Sequence, residues 1–188
     1  MKISEADILL VPGYGETAEE HWMRRWQAKM ATARVVEQSD WFHPNLKPWQ
    51  DTLLEAIAGC TRPVVLVGHS LGCNLIAHTS LRWKKGVVKG AYLVAPPDLE
   101  REENRPAFDH ASFLPLPLHP LGVKSHVVAS QSDPYCPYKR AEVFAREWGA
   151  TIQDAGQAGH INVESGHGPW PEGLMSFALF MKRLGGGY

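Results

Sequence analysis

Residues Val64-Val65-Leu66-Val67-Gly68-His69-Ser70-Leu71-Gly72 constrain this chain more than any other stretch. Four apolar, mostly β-branched residues read as a strand buried on both faces, as in a parallel sheet. They run into G-x-S-x-G, after which Leu71, Leu75, Ile76 and Thr79 fall on one side of a helix. A strand, a sharp turn with Ser70 at its apex and a helix are the context in which this pentapeptide carries a nucleophile. The Ser backbone at such an apex is strained, so Gly68 and Gly72 stand where a Cβ would collide. The plainer reading is a turn in which Ser70 only caps the helix. The flanking strand and helix favour the nucleophile.

The rest of the chain repeats the alternation. Apolar runs at Asp7–Val11, Ala33–Val36, Val64–Val67, Gly90–Ala95, Val127–Ser130 and Ala150–Gln153 predict six strands. Between them, Trp22, Trp26 and Met30 form a helical stripe behind a capping box of Thr17 and Glu20. Pro48 opens a helix carrying Trp49, Leu53, Ala56 and Ile57, and Pro137 one carrying Ala141, Phe144, Ala145 and Trp148. A last helix from Pro171 bears Leu174, Phe177, Ala178, Met181 and Leu184. This order predicts an α/β fold, a mainly parallel six-stranded sheet with helices on both faces, in one domain over residues 1–188.

Ligands of such sheets bind beyond the carboxyl ends of the strands, and the candidate residues fall there. A Ser hydroxyl needs a base, and the base needs an orienting acid; on this scaffold the chain order is Ser, acid, His. Asp133 follows the fifth strand in Ser130-Gln131-Ser132-Asp133-Pro134, although an Asp before Pro is also a common turn residue. The loop after the last strand offers His160 and His167, and His160, in Gly159-His160-Ile161-Asn162, is the better placed base. The backbone N–H groups of Leu71 and Tyr14 are the expected donors to an oxyanion. His69 and His21 read as packed, structural histidines. Cys73 is expected buried and Cys136 accessible, with no neighbour to activate it. The segment from Asp98 to Gly122 is long, charged through Glu100, Arg101, Glu102, Glu103 and Arg105 and then proline-rich, and the loop from Pro96 to Pro120 is expected to wall the pocket with Phe108, Phe113 and Leu116.

Other functions are poorly supported. A net charge of -1 gives no footprint for nucleic acid or an anionic membrane. Gly13-Tyr14-Gly15 lacks the third glycine of a dinucleotide fingerprint, since Ala18 stands there. The three cysteines show no C-x-x-C pairing and the nine histidines no H-E-x-x-H spacing, so neither a metal nor another cofactor is expected. No apolar leader or membrane-length run is present, which makes a cytoplasmic location the default.

Several pieces together resemble the small serine hydrolases of the α/β-hydrolase superfamily related to retinoblastoma-binding protein nine, in their bacterial branch. They are Val11-Pro12-Gly13-Tyr14-Gly15, Glu20-His21-Trp22 with Trp26, Gln38-Ser39-Asp40-Trp41, and the Gly68–Gly72 turn. Val94-Ala95-Pro96-Pro97-Asp98, Ser132-Asp133-Pro134-Tyr135-Cys136, Gly159-His160-Ile161-Asn162 and Trp170-Pro171-Glu172-Gly173 complete the set. The resemblance implies a three-layer α/β/α sandwich, a triad of Ser70, Asp133 and His160, and hydrolysis of ester or amide bonds. It does not extend to binding retinoblastoma protein, because no L-x-C-x-E peptide occurs. A small-molecule or short acyl substrate is the expected partner, since no helical lid of the lipase kind is inserted. A binding protein that has lost turnover, and a lyase using the same base, are the rivals on this scaffold.

Overall fold

The computed structural model describes residues 1–15, 17–102 and 108–186. Its strands are β1 (Asp7–Val11), β2 (Ala33–Val35), β3 (Val64–His69), β4 (Val88–Val94), β5 (Lys124–Ala129) and β6 (Ala150–Asp154). They form one sheet in the order β2-β1-β3-β4-β5-β6, and every pairing is parallel. Parallel neighbours need long crossovers, which are supplied by α1 (Trp22–Lys29), α2 (Leu46–Ala58), α3 (Leu71–Thr79) and α4 (Tyr138–Trp148), while α5 (Pro171–Gly185) closes the chain.

Alternation along the strands divides the core in two. Leu9, Leu66, Leu93 and Val127 point to one face, where Trp49 and Leu53 of α2, Leu75 and Ile76 of α3 and Phe144 and Trp148 of α4 cover them. Ile8, Leu10, Val65, Val67, Tyr92 and Val128 point to the other, under Trp22 and Trp26 of α1 and Phe177 and Phe180 of α5. This is a three-layer α/β/α sandwich. From β1 the chain moves outward to β2, and from β3 it moves the other way, so the strand order reverses between β1 and β3. A crevice at the carboxyl ends opens at that reversal. Val11 pairs with Gly68 across it, which sets the loop after β1 beside the turn after β3.

Local details depart from the pattern. The Thr17–Glu20 capping box does not form, because α1 begins at Trp22 with His21 as its N-cap. The imidazole Nδ1 accepts the Met23 N–H at 3.2 Å, the service a Thr hydroxyl was expected to give. Helix α2 starts before Pro48, at Leu46, with the Asn45 carboxamide accepting the Lys47 N–H. Pro48 is tolerated because first-turn N–H groups have no helical acceptor. Phe113 and Leu116 do not wall a pocket; both are buried in the core on the α2–α4 side, Phe113 edge-on to Trp49. Glu103 and Arg105 of the charged stretch lie outside the described residues.

Candidate active site

Segments that follow β1, β3, β5 and β6 at the carboxyl ends of the strands build the site. The turn after β3 holds Ser70 at φ +53° and ψ -129°, with its N–H bonded to Val94 O at 3.0 Å. The flanking glycines are steric necessities. A Cβ at Gly72 would lie 2.0 Å from Val11 O, and one at Gly68 would lie 2.9 Å from the Ile76 side chain and 3.0 Å from Cys73 N.

The loop after β5 brings Asp133 and the loop after β6 brings His160, each 8% exposed. His160 Nε2 stands 2.9 Å from Ser70 Oγ, and its Nδ1 lies 3.0 and 2.9 Å from the two Asp133 oxygens. A carboxylate only accepts, so Nδ1 carries the proton and Nε2 accepts from the Ser70 hydroxyl. Asp133 Oδ1 also accepts the Tyr135 N–H at 2.9 Å, which fixes the carboxylate. Two serines lace the loops together: Ser130 Oγ accepts the Ala158 N–H and Ser132 Oγ accepts the Gly159 N–H. The three residues singled out by chain order are thus in one hydrogen-bonded line. His167 is outside it, half-buried beside Ser165 and Trp170.

The loop after β1 closes the crevice. A Cβ at Gly13 would lie 2.8 Å from Ser70 Cβ and 3.1 Å from Leu71 N, so the Gly13–Tyr14 backbone rides directly over the turn. Gly15 N–H is anchored on Trp41 O, and the Tyr14 ring stacks on Phe108 with centroids 4.4 Å apart. Tyr14, Ser70, Leu71, Phe108, Tyr135 and His160 share a cavity of about 490 Å³, a volume suited to a small-molecule ligand. Of the three residues expected to line it, Phe108 alone does.

Two further histidines line the same cavity. His69 is packed as expected, and its Nε2–H donates to His160 O at 3.0 Å. His21, read from sequence as structural, also faces the cavity, its ring 4.9 Å from that of His69. Burial, reinforced by the charge His160 would carry, drives the His21 pKa down to about 4. Burial also holds His69 well below the ordinary histidine value, with His21 and His160 adding to the effect. No spacing in the sequence signals this cluster, because α1 and β3 meet the His160 loop only in three dimensions. Cys136 is buried, not accessible; burial first and the Asp133 and Asp98 charges second push its thiol pKa up, as burial does for Cys73. Among the described residues no group of three His, Cys, Asp or Glu side chains is placed to hold a metal ion, and no helix is long and apolar enough to cross a membrane.

Sheet, turn and crevice together define an α/β-hydrolase. The serine hydrolase family model matches residues 8–179, and the chain belongs to that family. A crystal structure described as a YdeN-like hydrolase from Pectobacterium atrosepticum is 32% identical, with 97% of this chain and 94% of that one covered and a TM-score of 0.85. The YdeN product of B. subtilis superposes with a TM-score of 0.71 at 19% identity, over 95% of this chain and 99% of that one. An esterase from Thermogutta terrifontis shares the fold at 17% identity and a TM-score of 0.64, over 94% of this chain and 89% of that one. No curated protein matches the sequence.

Proposed function

We propose that this serine hydrolase cleaves a small carboxylic ester or amide through an acyl-serine intermediate. The observation that supports the reading best is the unbroken line from Ser70 Oγ through His160 to the Asp133 carboxylate. In this mechanism Ser70 Oγ attacks the substrate carbonyl carbon while its proton passes to His160 Nε2. Asp133 holds the imidazole with Nδ1 protonated and stabilises the imidazolium that forms. The carbonyl oxygen, now an oxyanion, is met by the N–H groups of Leu71 and Tyr14, each donor worth roughly 3 kcal/mol in the transition state. His160 then gives its proton to the leaving oxygen or nitrogen, and water, deprotonated by the same nitrogen, releases the acid.

The cavity supports a compact substrate. Tyr14, Phe108 and Leu99 offer apolar contact, and His21 and His69, both neutral at physiological pH, add polar contact without a charge. A short acyl group fits this lining better than a phosphorylated one.

A fluorophosphonate probe with peptide mass spectrometry tests the reading. The expected adduct lies on Ser70, disappears in Ser70→Ala and falls sharply in His160→Ala. Turnover of p-nitrophenyl acetate should drop at least about a thousandfold in Ser70→Ala with the fold intact. Full-rate Ser70→Ala, or labelling indifferent to His160, overturns the proposal.

A further inference from the structure

The sheet is covered unevenly. Among the described residues, three helices lie on one face and two, α1 and α5, on the other. On that second face the cover stops at α5. Beyond it, His126 from β5 and Gln153 from the edge strand β6 floor a cleft of about 280 Å³ whose wall is α5 itself. Six α5 residues line the cleft, Ser176 and Phe180 toward its floor and Glu172, Met175, Leu179 and Arg183, at spacings of three, four and four, as one stripe along the helix. Met175 is 69% and Leu179 57% exposed; other large apolar side chains such as Phe42 and Leu81 are exposed too, but these two stand one turn apart on a single helix face.

The stripe is self-complementary. Its acidic residue stands at the N-terminal end and its basic residue at the C-terminal end, with the apolar pair between them. Antiparallel packing of two α5 helices about a two-fold axis sets Glu172 against Arg183 of the second copy and Met175 against Leu179. The two pairings are centred within about half a residue of each other, next to Phe177, so one axis satisfies them together. Glu172 and Arg183 are about 16 Å apart along the helix, so both pairs close at once only in this register.

From this we infer that the α5 stripe and the cleft beside it form an isologous homodimer interface, the second copy's α5 lying over the sheet margin that none of the described helices covers. The apolar centre supplies the contact and the two Glu172–Arg183 pairs fix the register. The active-site mouth lies elsewhere on the molecule and stays open.

Sedimentation velocity over a micromolar to high-micromolar series, with far-ultraviolet circular dichroism to verify folding, tests the inference. The protein is expected to dimerise. Glu172→Arg and Arg183→Glu should each raise the dimer dissociation constant roughly tenfold, since each places like charges together twice per dimer. The double variant E172R/R183E reverses both pairs and should recover most of the loss. Leu179→Glu should abolish the dimer, whereas Leu81→Glu, on the exposed Leu81 beyond α3, should leave it intact. A protein monomeric throughout the series overturns the inference. So does a dimer that withstands Leu179→Glu, or one in which the double reversal is as weak as the two single losses combined.

Discussion

The φ of +53° at Ser70 costs on the order of 1 kcal/mol in a residue with a Cβ, and Ala95 and Ile161, at +51°, carry the same penalty. All three lie beside the site: Ala95 follows β4, and Ile161 follows His160. Each is held by a specific hydrogen bond. Ser70 N–H reaches Val94 O, Ala95 N–H reaches Val128 O, and the buried Trp22 indole N–H reaches Ile161 O at 3.0 Å. With His69 Nε2–H on the His160 carbonyl, two ring donors pin the segment that aims the imidazole. Trp22→Phe removes one of them while keeping most of the apolar volume. It should cost about 2 kcal/mol in urea unfolding, the penalty of a buried carbonyl left unpaired plus a small cavity. It should also lower kcat roughly tenfold with little change in KM, because His160 is misaimed while the pocket walls stay. Steady-state kinetics beside the unfolding curve reads both effects.

At the scale of elements, the sequence carried the strands and the chain order of the site residues. Runs such as Ile8-Leu9-Leu10-Val11 and Val64-Val65-Leu66-Val67 are buried on both faces, so little but a central parallel strand accommodates them. Ser70, Asp133 and His160 were legible because each follows a strand on the side where this architecture places ligands. Features decided by packing between distant segments were not. Phe113 looks like pocket lining from its place in a proline-rich loop, yet a three-residue 3-10 turn drops it beside Trp49. Cys136 sits in a loop but is covered, and His21 caps a helix in a role that Thr17 advertises more plainly. The loop after β1 illustrates how two glycines in neighbouring elements differ. Gly72→Ala would drive a methyl into Val11 O at 2.0 Å, a backbone clash that should destabilise the fold by several kcal/mol. Gly13→Ala meets Ser70 Cβ at 2.8 Å and Leu71 N at 3.1 Å, at the position of the proposed oxyanion. It should lower kcat roughly a hundredfold, the loss of about one donor, and cost some stability as well, because Ser70 Cβ cannot rotate away, though less than the 2.0 Å backbone clash of Gly72→Ala costs. Melting temperature and kcat measured on both variants separate the two glycines.

Across the molecule, the site imposes its own pH dependence on stability. His21 and His69 are buried next to His160, and the fold disfavours charge on both. As pH falls below the ordinary histidine value of 6.5, the unfolded chain takes up protons that the folded one refuses until about pH 4 at His21. The stability present above 6.5 is therefore lost across that window, about 2 kcal/mol by pH 5 from His21 alone, with His69 acting in the same direction. Asp7 adds a smaller effect of the same sign at lower pH. Burial works to raise its pKa, but the N–H groups of Arg62 and Thr61 and the Arg62 guanidinium outweigh that and hold it below the usual carboxylate value. His21→Asn isolates the histidine contribution, because a carboxamide oxygen still caps α1 but does not titrate. Urea unfolding at pH 7 and pH 5 should show the variant losing less stability than the parent between the two, by about 2 kcal/mol. The acid limb of the pH–rate profile should persist in the variant, since His160 and not His21 must be neutral for turnover. A parent and variant with equal pH slopes would show that His21 titrates as an ordinary histidine in the folded chain.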